Sequence, residues 1–204
     1  MGTATEIGKT WLSVQLVAEL RARGHAVAVR KPVQSYEHPT NNDTDAELLA
    51  AASGEPVHTV CPAHRWYPEP MAPPMASAAL GRDPIAAADL IDELAWPADA
   101  TIGIVETVGG VRSPMAHDID SAGFAHAIGA THVLLVADAG LGTINSVRLA
   151  KPTLDSIPTL VYLNRFAPND LHRRNLDWLT HNDRFPTAVD ITSVVDWIED
   201  TTLS

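Results

Sequence analysis

Apolar positions along the chain follow two periods. Leu12, Leu16, Val17 and Leu20 share one face of a helix that begins after Thr10 and stops at Gly24. Residues 25–30 then form a short apolar strand, ended by Pro32, which cannot donate to a ladder. A helix starts at Thr44 and is stopped by Gly54; another, over 85–95, turns Ile85, Ala88, Leu90, Ile91 and Leu94 to one side. Residues 101–105 and 131–137 are continuous apolar runs, as expected of parallel strands buried on both faces, and 159–163 reads as a further strand. Helices are expected over 120–128, 169–180 and 192–198, and after the glycine-containing turn at 138–145, where Pro152 kinks or shortens the helix. Pro186 confines residues 185–189 to an edge strand. This βαβα alternation predicts one α/β domain over 1–204, three layers deep, with a doubly wound, mostly parallel sheet. Two stretches break the pattern. Residues 38–43 are a polar loop rich in Pro and Asn, and 55–84 a long, Pro-rich irregular segment of the kind that covers a site.

The sheet is organised around the first ten residues. Gly2, Gly8, Lys9 and Thr10 have the composition of a phosphate-binding loop, in which backbone N–H groups and a helix N-terminus surround phosphate oxygens. Lys9 would reach the outer phosphates and Thr10 the accompanying Mg²⁺. Gly2 lies one residue further from Gly8 than in the usual spacing, so the loop is a variant. Loops of this kind join a buried strand to a helix, yet only Met1 stands before Gly2; an upstream apolar strand is therefore expected.

Strand ends supply the remaining chemistry. Lys31 follows the first strand, where ligands of doubly wound sheets lie. Asp45 opens a helix, where it either complements the helix dipole or binds a metal. Glu106 follows the 101–105 run and precedes Gly109-Gly110, a setting suited to magnesium near a phosphate. Lys9, Thr10, Asp45 and Glu106 together make the set that Mg·ATP requires, since phosphoryl transfer asks mainly for positioning and charge neutralisation.

Charge and composition narrow the partners. With 14 Lys+Arg against 25 Asp+Glu the net charge is −11, which disfavours nucleic acid and anionic membranes as partners. The lone Cys61 excludes an internal disulfide, and its apolar neighbours mark it as inert. The nine histidines show no metal-ligand spacing, and the absence of a signal peptide or long apolar span predicts a cytoplasmic protein.

With these residues in place, the sequence resembles dethiobiotin synthetase of the P-loop NTP hydrolase-like fold. Residues 2–10 are similar to that family's G-T-x-T-x-V-G-K-T, extra loop residue included. Residues 31–35 resemble its K-P-V-x-S, 44–46 its S/T-D-A, 105–110 its V-E-G-A-G-G, 139–145 its A-G-L-G-T-I-N, and 163–164 the end of its V-L-N. The resemblance implies ATP- and Mg²⁺-dependent carboxylation of 7,8-diaminononanoate with CO₂ and closure of a ureido ring. It assigns charge stabilisation to Lys9 and Lys31, and nucleotide binding to Thr5, Glu6, Ile7, Gly8, Lys9, Thr10, Glu106 and Asn164. Thr10, Asp45 and Glu106 would hold Mg²⁺; Thr5 and Ser35 would contact carbamate or substrate nitrogens. The family is homodimeric, and Gly142, Thr143 and Asn145 would bind the substrate carboxylate across the interface, as a helix N-terminus suits.

The chain departs from the family pattern at Ala4, at Tyr36, which replaces a glycine, and at Thr107-Val108, which replace Gly-Ala and would be strained by positive φ. No G-x-I-P segment is recognisable over 184–191. Two other readings stay open: a degenerate or regulatory nucleotide-binding module without synthetase activity, and an amidoligase relative of the cobyrinate-synthesis type, which would add a glutaminase domain that this length does not hold.

Overall fold

Helix α1 (Lys9–Ala22) opens directly from Gly8, whose φ of 87° gives the loop its final turn, and buries Leu12, Leu16, Val17 and Leu20. A computed structural model describes residues 1–37 and 42–202 of the chain. Most of the polar loop expected at 38–43 therefore lies outside the described residues. Strand β1 (Val27–Arg30) and the two-residue β2 (Gln34–Ser35) lead to α2 (Asp45–Ser53). Thr44 and Glu47 close a capping box at the start of α2, and Gly54, at φ 76°, ends it in the left-handed region.

The 55–84 segment is not irregular. It holds α3 (Val57–Val60), a 3₁₀ turn at Ala63–Arg65, β3 (Trp66–Tyr67) and α4 (Pro73–Ala79). Prolines stand just before α3 and the 3₁₀ turn and at the first position of α4, where a missing N–H is harmless. The helix expected over 85–95 shrinks to α5 (Ala87–Asp92). The Ile85 and Ala87 amides are instead taken by His117 Nδ1 and Asp118 Oδ1, at 3.0 and 2.8 Å.

Next come β4 (Ile102–Val105), α6 (Ser121–Ala127), capped by Asp120, and β5 (Val133–Asp138). Helix α7 (Thr143–Ala150) gives way to a 3₁₀ turn at Lys151–Leu154 containing Pro152, as the proline requires. The chain finishes with β6 (Thr159–Asn164), α8 (Asp170–Asp177) running into a π turn at Trp178–Asn182, β7 (Thr187–Ala188) and α9 (Ile191–Thr202).

Every named strand pairs in parallel: β1 with β4, β2 with β3, and β5 with β6 with β7. The short edge strand at β7 matches the constraint set by Pro186. Residues 1–3 extend this ladder. Val136 donates to Met1 O at 3.0 Å and Thr3 donates to Val136 O at 2.9 Å, so the phosphate loop leaves directly from beside β5. One apolar cluster gathers Leu135, Ala137, Val147, Val161 and Leu163, and a second gathers α1 and α9 over Val136, Leu160 and Tyr162, on the two faces of β5 and β6. The fold is thus the doubly wound α/β type with helices on both sides.

Strand β4 departs from expectation. Its run Ile-Gly-Ile-Val suggests burial on both faces, yet Gly103 is exposed and its neighbours are only half-buried. Among the described residues β4 pairs with β1 alone, leaving its other edge without a strand.

Candidate functional site

The loop, two strand ends and one helix start converge on a single polar junction. Thr10, on the first turn of α1, places its hydroxyl 2.7 Å from Asp45 Oδ1 and 2.8 Å from Glu106 Oε1. With one hydrogen to donate, it serves one carboxylate at a time. Lys31, immediately after β1, puts Nζ 2.7 Å from both Asp45 Oδ2 and Glu106 Oε1. Ser13, one helical turn past Thr10, donates to Glu106 Oε2 at 2.8 Å.

Lys31 and Glu106 are both about 2% exposed, so each carries a buried charge that only its partners compensate. Burial alone would lower the Lys31 pKa, but the Glu106 and Asp45 carboxylates outweigh it and hold the ammonium well above its ordinary value. Asp45 is the counterpart: burial pushes its carboxyl up, and Lys31 overrides this and holds it below the usual range. Lys9 is lowered, first by burial and then by the Lys31 charge, and its Nζ lies 3.2 Å from Ala4 O within its own loop.

The junction opens into a cleft of about 650 Å³. Thr5, Glu6, Gly8, Lys9, Thr10, Lys31, Ser35 and Asp45 line it; Glu106 lies beneath, behind Thr10. Tyr36 forms part of the wall, its ring edge-on to Trp66 at 6.0 Å, and Met71, Pro73 and Val108 add an apolar side. Neither Thr107 nor Val108 adopts positive φ; Gly109 takes the left-handed turn at 52°.

Ile7 and Asn164 sit behind the loop. Asn164 Nδ2 donates to Ile7 O at 2.8 Å and packs so closely on Gly8 that any β-carbon there would collide with it. Gly142, Thr143 and Asn145, at the start of α7, are not in the cleft wall, although Thr143 Oγ1 is buried without a partner. Cys61 is buried and its thiol is pushed up to about 12 by desolvation, in keeping with an inert side chain.

Two residues escaped the sequence reading. Ser13 carries a signal only in hindsight, as a hydroxyl one turn after Thr10 on the same helix face. Arg165 carries the mark that singled out Lys31, a basic residue just past a strand: its guanidinium donates to Glu6 O at 2.7 Å and pairs with Asp138 Oδ2 at 3.0 Å, and it lines the cleft. Arg165 and Glu6 are both in the left-handed region, at φ 56° and 58°.

The donor set fits Mg²⁺. Two carboxylates and one hydroxyl meet around Thr10 Oγ1, all hard oxygens, and magnesium is commonly held by one or two carboxylates together with substrate phosphates. Thr10, Asp45 and Glu106 would hold the ion.

Comparison with known proteins identifies the family. A family model described as an AAA domain matches residues 1–161. An ATP-dependent dethiobiotin synthetase of Anaeromyxobacter dehalogenans is 35% identical over 192 residues, spanning 89% of this chain and 84% of that protein. One from Methylobacterium nodulans is 37% identical over 164 residues, 75% and 72% of the two chains. Among solved structures, a plasmid partition protein of Borrelia burgdorferi superposes with a TM-score of 0.51 over 98% of this chain and 93% of that one; at 14% identity the likeness is one of fold alone. The chain belongs to the ATP-dependent dethiobiotin synthetase family, a family of carbon–nitrogen ligases.

Proposed function

We propose that this chain is a cytoplasmic, homodimeric dethiobiotin synthetase that uses ATP and Mg²⁺ to carboxylate 7,8-diaminononanoate with CO₂ and close its ureido ring. The observation that carries the reading is the junction in which Thr10 Oγ1 reaches both Asp45 and Glu106 while Lys31 Nζ bridges the same two carboxylates. Such a set neutralises and positions phosphate groups without a covalent nucleophile.

One substrate amine joins CO₂ as a carbamate with loss of a proton. The carbamate oxygen attacks the γ-phosphate, breaking its bond to the β–γ bridging oxygen, so that ADP leaves and a carbamic–phosphoric mixed anhydride forms. The second amine then displaces phosphate from the mixed anhydride and closes the ring. Loop amides from Thr5 to Thr10 and Lys9 take the phosphates, in line with a helix N-terminus opening from Gly8. Lys31 stays protonated between its two carboxylates, so its part is to hold charge near the carbamate and γ-phosphate and not to abstract a proton. Thr5 and Ser35 hydrogen-bond carbamate or amine nitrogens, and Met71, Pro73 and Val108 offer an apolar wall to the substrate's aliphatic chain. Glu6 and Asn164 stand toward the nucleotide's far end. Thr10, Asp45 and Glu106 would hold Mg²⁺, which would supply further neutralisation at the phosphate oxygens.

Exposed apolar side chains favour a second copy at α7. Leu141 is 93% and Leu149 70% exposed, flanking the turn with Gly142, Thr143 and Asn145, which would meet the substrate carboxylate of the neighbouring subunit.

Phosphate release from ATP, measured with and without diaminononanoate and bicarbonate, tests the reading. Release that depends on the diamine is the expected result. Nucleotide binding with release that never responds to the diamine would replace it with a regulatory, non-catalytic module.

A further inference from the structure

Beyond Glu106 the chain closes a turn that forms part of the cleft wall. Ser113 N donates to Gly110 O at 3.0 Å and Gly110 N donates to Ser113 Oγ at 2.9 Å, so the turn over 110–113 is fastened twice. Ser121, fully buried at the start of α6, fixes it further: its N donates to Ser113 O at 3.0 Å and its hydroxyl to Val108 O at 2.9 Å. Ala122 N adds a bond to Val111 O at 2.8 Å. The turn also rests on the phosphate loop, since a β-carbon on Gly110 would stand 3.0 Å from Thr3 O.

Gly109 makes room for two hydroxyls. Its φ of 52° lies in the left-handed region, and the place its β-carbon would occupy is 2.2 Å from Ser113 Oγ and 3.7 Å from Thr5 Oγ1. One hydroxyl comes from the 110–113 turn and the other from the phosphate loop, and both residues line the cleft. Among the described residues, no protein acceptor takes the hydrogen of either hydroxyl. Ser113 Oγ is already engaged as an acceptor by the Gly110 amide, which polarises the group and leaves its O–H to donate.

We propose that Ser113 Oγ is a catalytic hydrogen-bond donor to the carbamoyl oxygen in the ring-closing step, with Thr5 Oγ1 beside it in a two-hydroxyl cradle over Gly109. The assignment rests on the synthetase reading above. It adds the group that meets charge developing next to carbon, where Lys9 and Lys31 meet charge on phosphate.

In that step the second amine bonds to the carbamoyl carbon through its nitrogen lone pair, and the C=O π pair moves onto oxygen. Ser113 O–H donates to that oxyanion. The pair then returns, the bond from carbon to the phosphate-bearing oxygen breaks with its electrons on oxygen, and the amine proton goes to the departing phosphate. The products are the ureido ring and hydrogenphosphate, and Ser113 ends with the proton it began with. A donor fixed before the charge appears needs no reorganisation when it does, and losing one such donor slows a reaction ~10²–10³-fold.

Single-turnover quench measurements of ADP, phosphate and ureido product in the parent chain, Ser113→Ala, Ser113→Thr and Ser113→Cys test this, with ATP affinity and melting followed alongside. In the parent, ring closure should keep pace with ADP. Ser113→Ala should form ADP within ~3-fold of the parent rate but close the ring ~10²–10³-fold more slowly. Its mixed anhydride is then lost to attack of water at phosphorus, which places no charge on the carbonyl oxygen, and the yield of ring per ADP should fall below about half. Ser113→Thr, which keeps the hydroxyl, should close the ring within ~3-fold of the parent. Ser113→Cys keeps an acceptor for Gly110 N but donates weakly, so it should melt near the parent and lose coupling as Ser113→Ala does.

Ring closure that keeps pace with ADP in Ser113→Ala overturns the assignment. An equal fall in ADP formation and ring closure in both Ser113→Ala and Ser113→Cys also overturns it, since that marks a support for the turn and not a donor at the carbamoyl oxygen. If Ser113→Ala does not fold, Ser113→Cys against the parent decides by the same criteria. A parent that forms no ADP in response to the diamine overturns the synthetase reading and the assignment together, whereas full coupling in both parent and variant overturns Ser113 alone.

Discussion

The phosphate loop is held from two sides that are built on different principles. In front, Lys31, Asp45, Glu106 and Thr10 form a closed set of charges and one hydroxyl, fixed by contacts of 2.7 and 2.8 Å. On the other side, Asn164 and Arg165 donate to backbone carbonyls, Ile7 O and Glu6 O, and their bonds do not reach Thr10, Lys31, Asp45 or Glu106. The front sets charge; the rear sets shape. Substitutions in front should therefore change turnover and metal response, whereas those behind should change nucleotide affinity.

Glu106→Gln should have the largest effect. It keeps the volume but leaves the buried Lys31 ammonium with only the half-exposed Asp45 as a carboxylate partner, and breaking a buried pair costs about 3–5 kcal/mol. Turnover should fall by ~10²–10³, as when a charge-stabilising group is lost, and the Mg²⁺ dependence should weaken. Steady-state rates across a Mg²⁺ titration and a melting curve check both. Unchanged turnover and Mg²⁺ response would remove Glu106 from the front set.

The same charges fix a pH window. Asp45 titrates below its ordinary 3.8 in the folded chain, so its contribution is present above that value and is lost as pH falls through its folded pKa. Lys31 titrates above its ordinary 10.5, so its contribution is complete below that value and is lost only as pH rises past the folded pKa. The front set should thus hold steady from about pH 5 to 10 and weaken outside. Asp45→Asn should remove the acid limb that Asp45 supplies and leave the alkaline one, as urea midpoints measured across pH would reveal. An unaltered acid limb would mean that Asp45 is not the group that titrates.

Much of the front was legible in the sequence because each member carries a local mark. Lys31 and Glu106 follow apolar runs, Asp45 sits one residue after a capping threonine, and Thr10 follows a glycine and a lysine. The rear was legible only in part: Asn164 closes the 163–164 block that resembles the family's V-L-N, whereas Arg165 finds Glu6 across 159 residues, a meeting that no periodicity announces. The same limit governed the secondary structure. Periodicity found the long elements α1, β5 and β6, but the pieces between 55 and 84 are two to seven residues each, too short to show a period. Helix α5 starts only at Ala87, and the amides at its entrance, Ile85 and Ala87, are satisfied by His117 and Asp118, which are distant in sequence. Composition could not foretell that β4, as apolar as β5, has one edge open to a channel: pairing belongs to the neighbour as much as to the strand.

The smallest effect, and the one that separates shape from contact behind the loop, lies at Arg165. Arg165→Ala removes the hydrogen bond to Glu6 O and the pair with Asp138, both exposed, and should raise KM for ATP by ~3-fold with kcat unchanged. Arg165→Gly removes the same contacts but relieves a left-handed backbone that disfavours any side chain by roughly 1–2 kcal/mol. Gly should retain some of the advantage after its greater freedom in the unfolded chain is set against it, and should melt ~2 °C above Ala. Equal melting of the two would mean that the left-handed turn carries no strain. An unchanged KM in both would mean that Asn164 alone holds the rear of the loop, through Ile7 O and its close approach to Gly8.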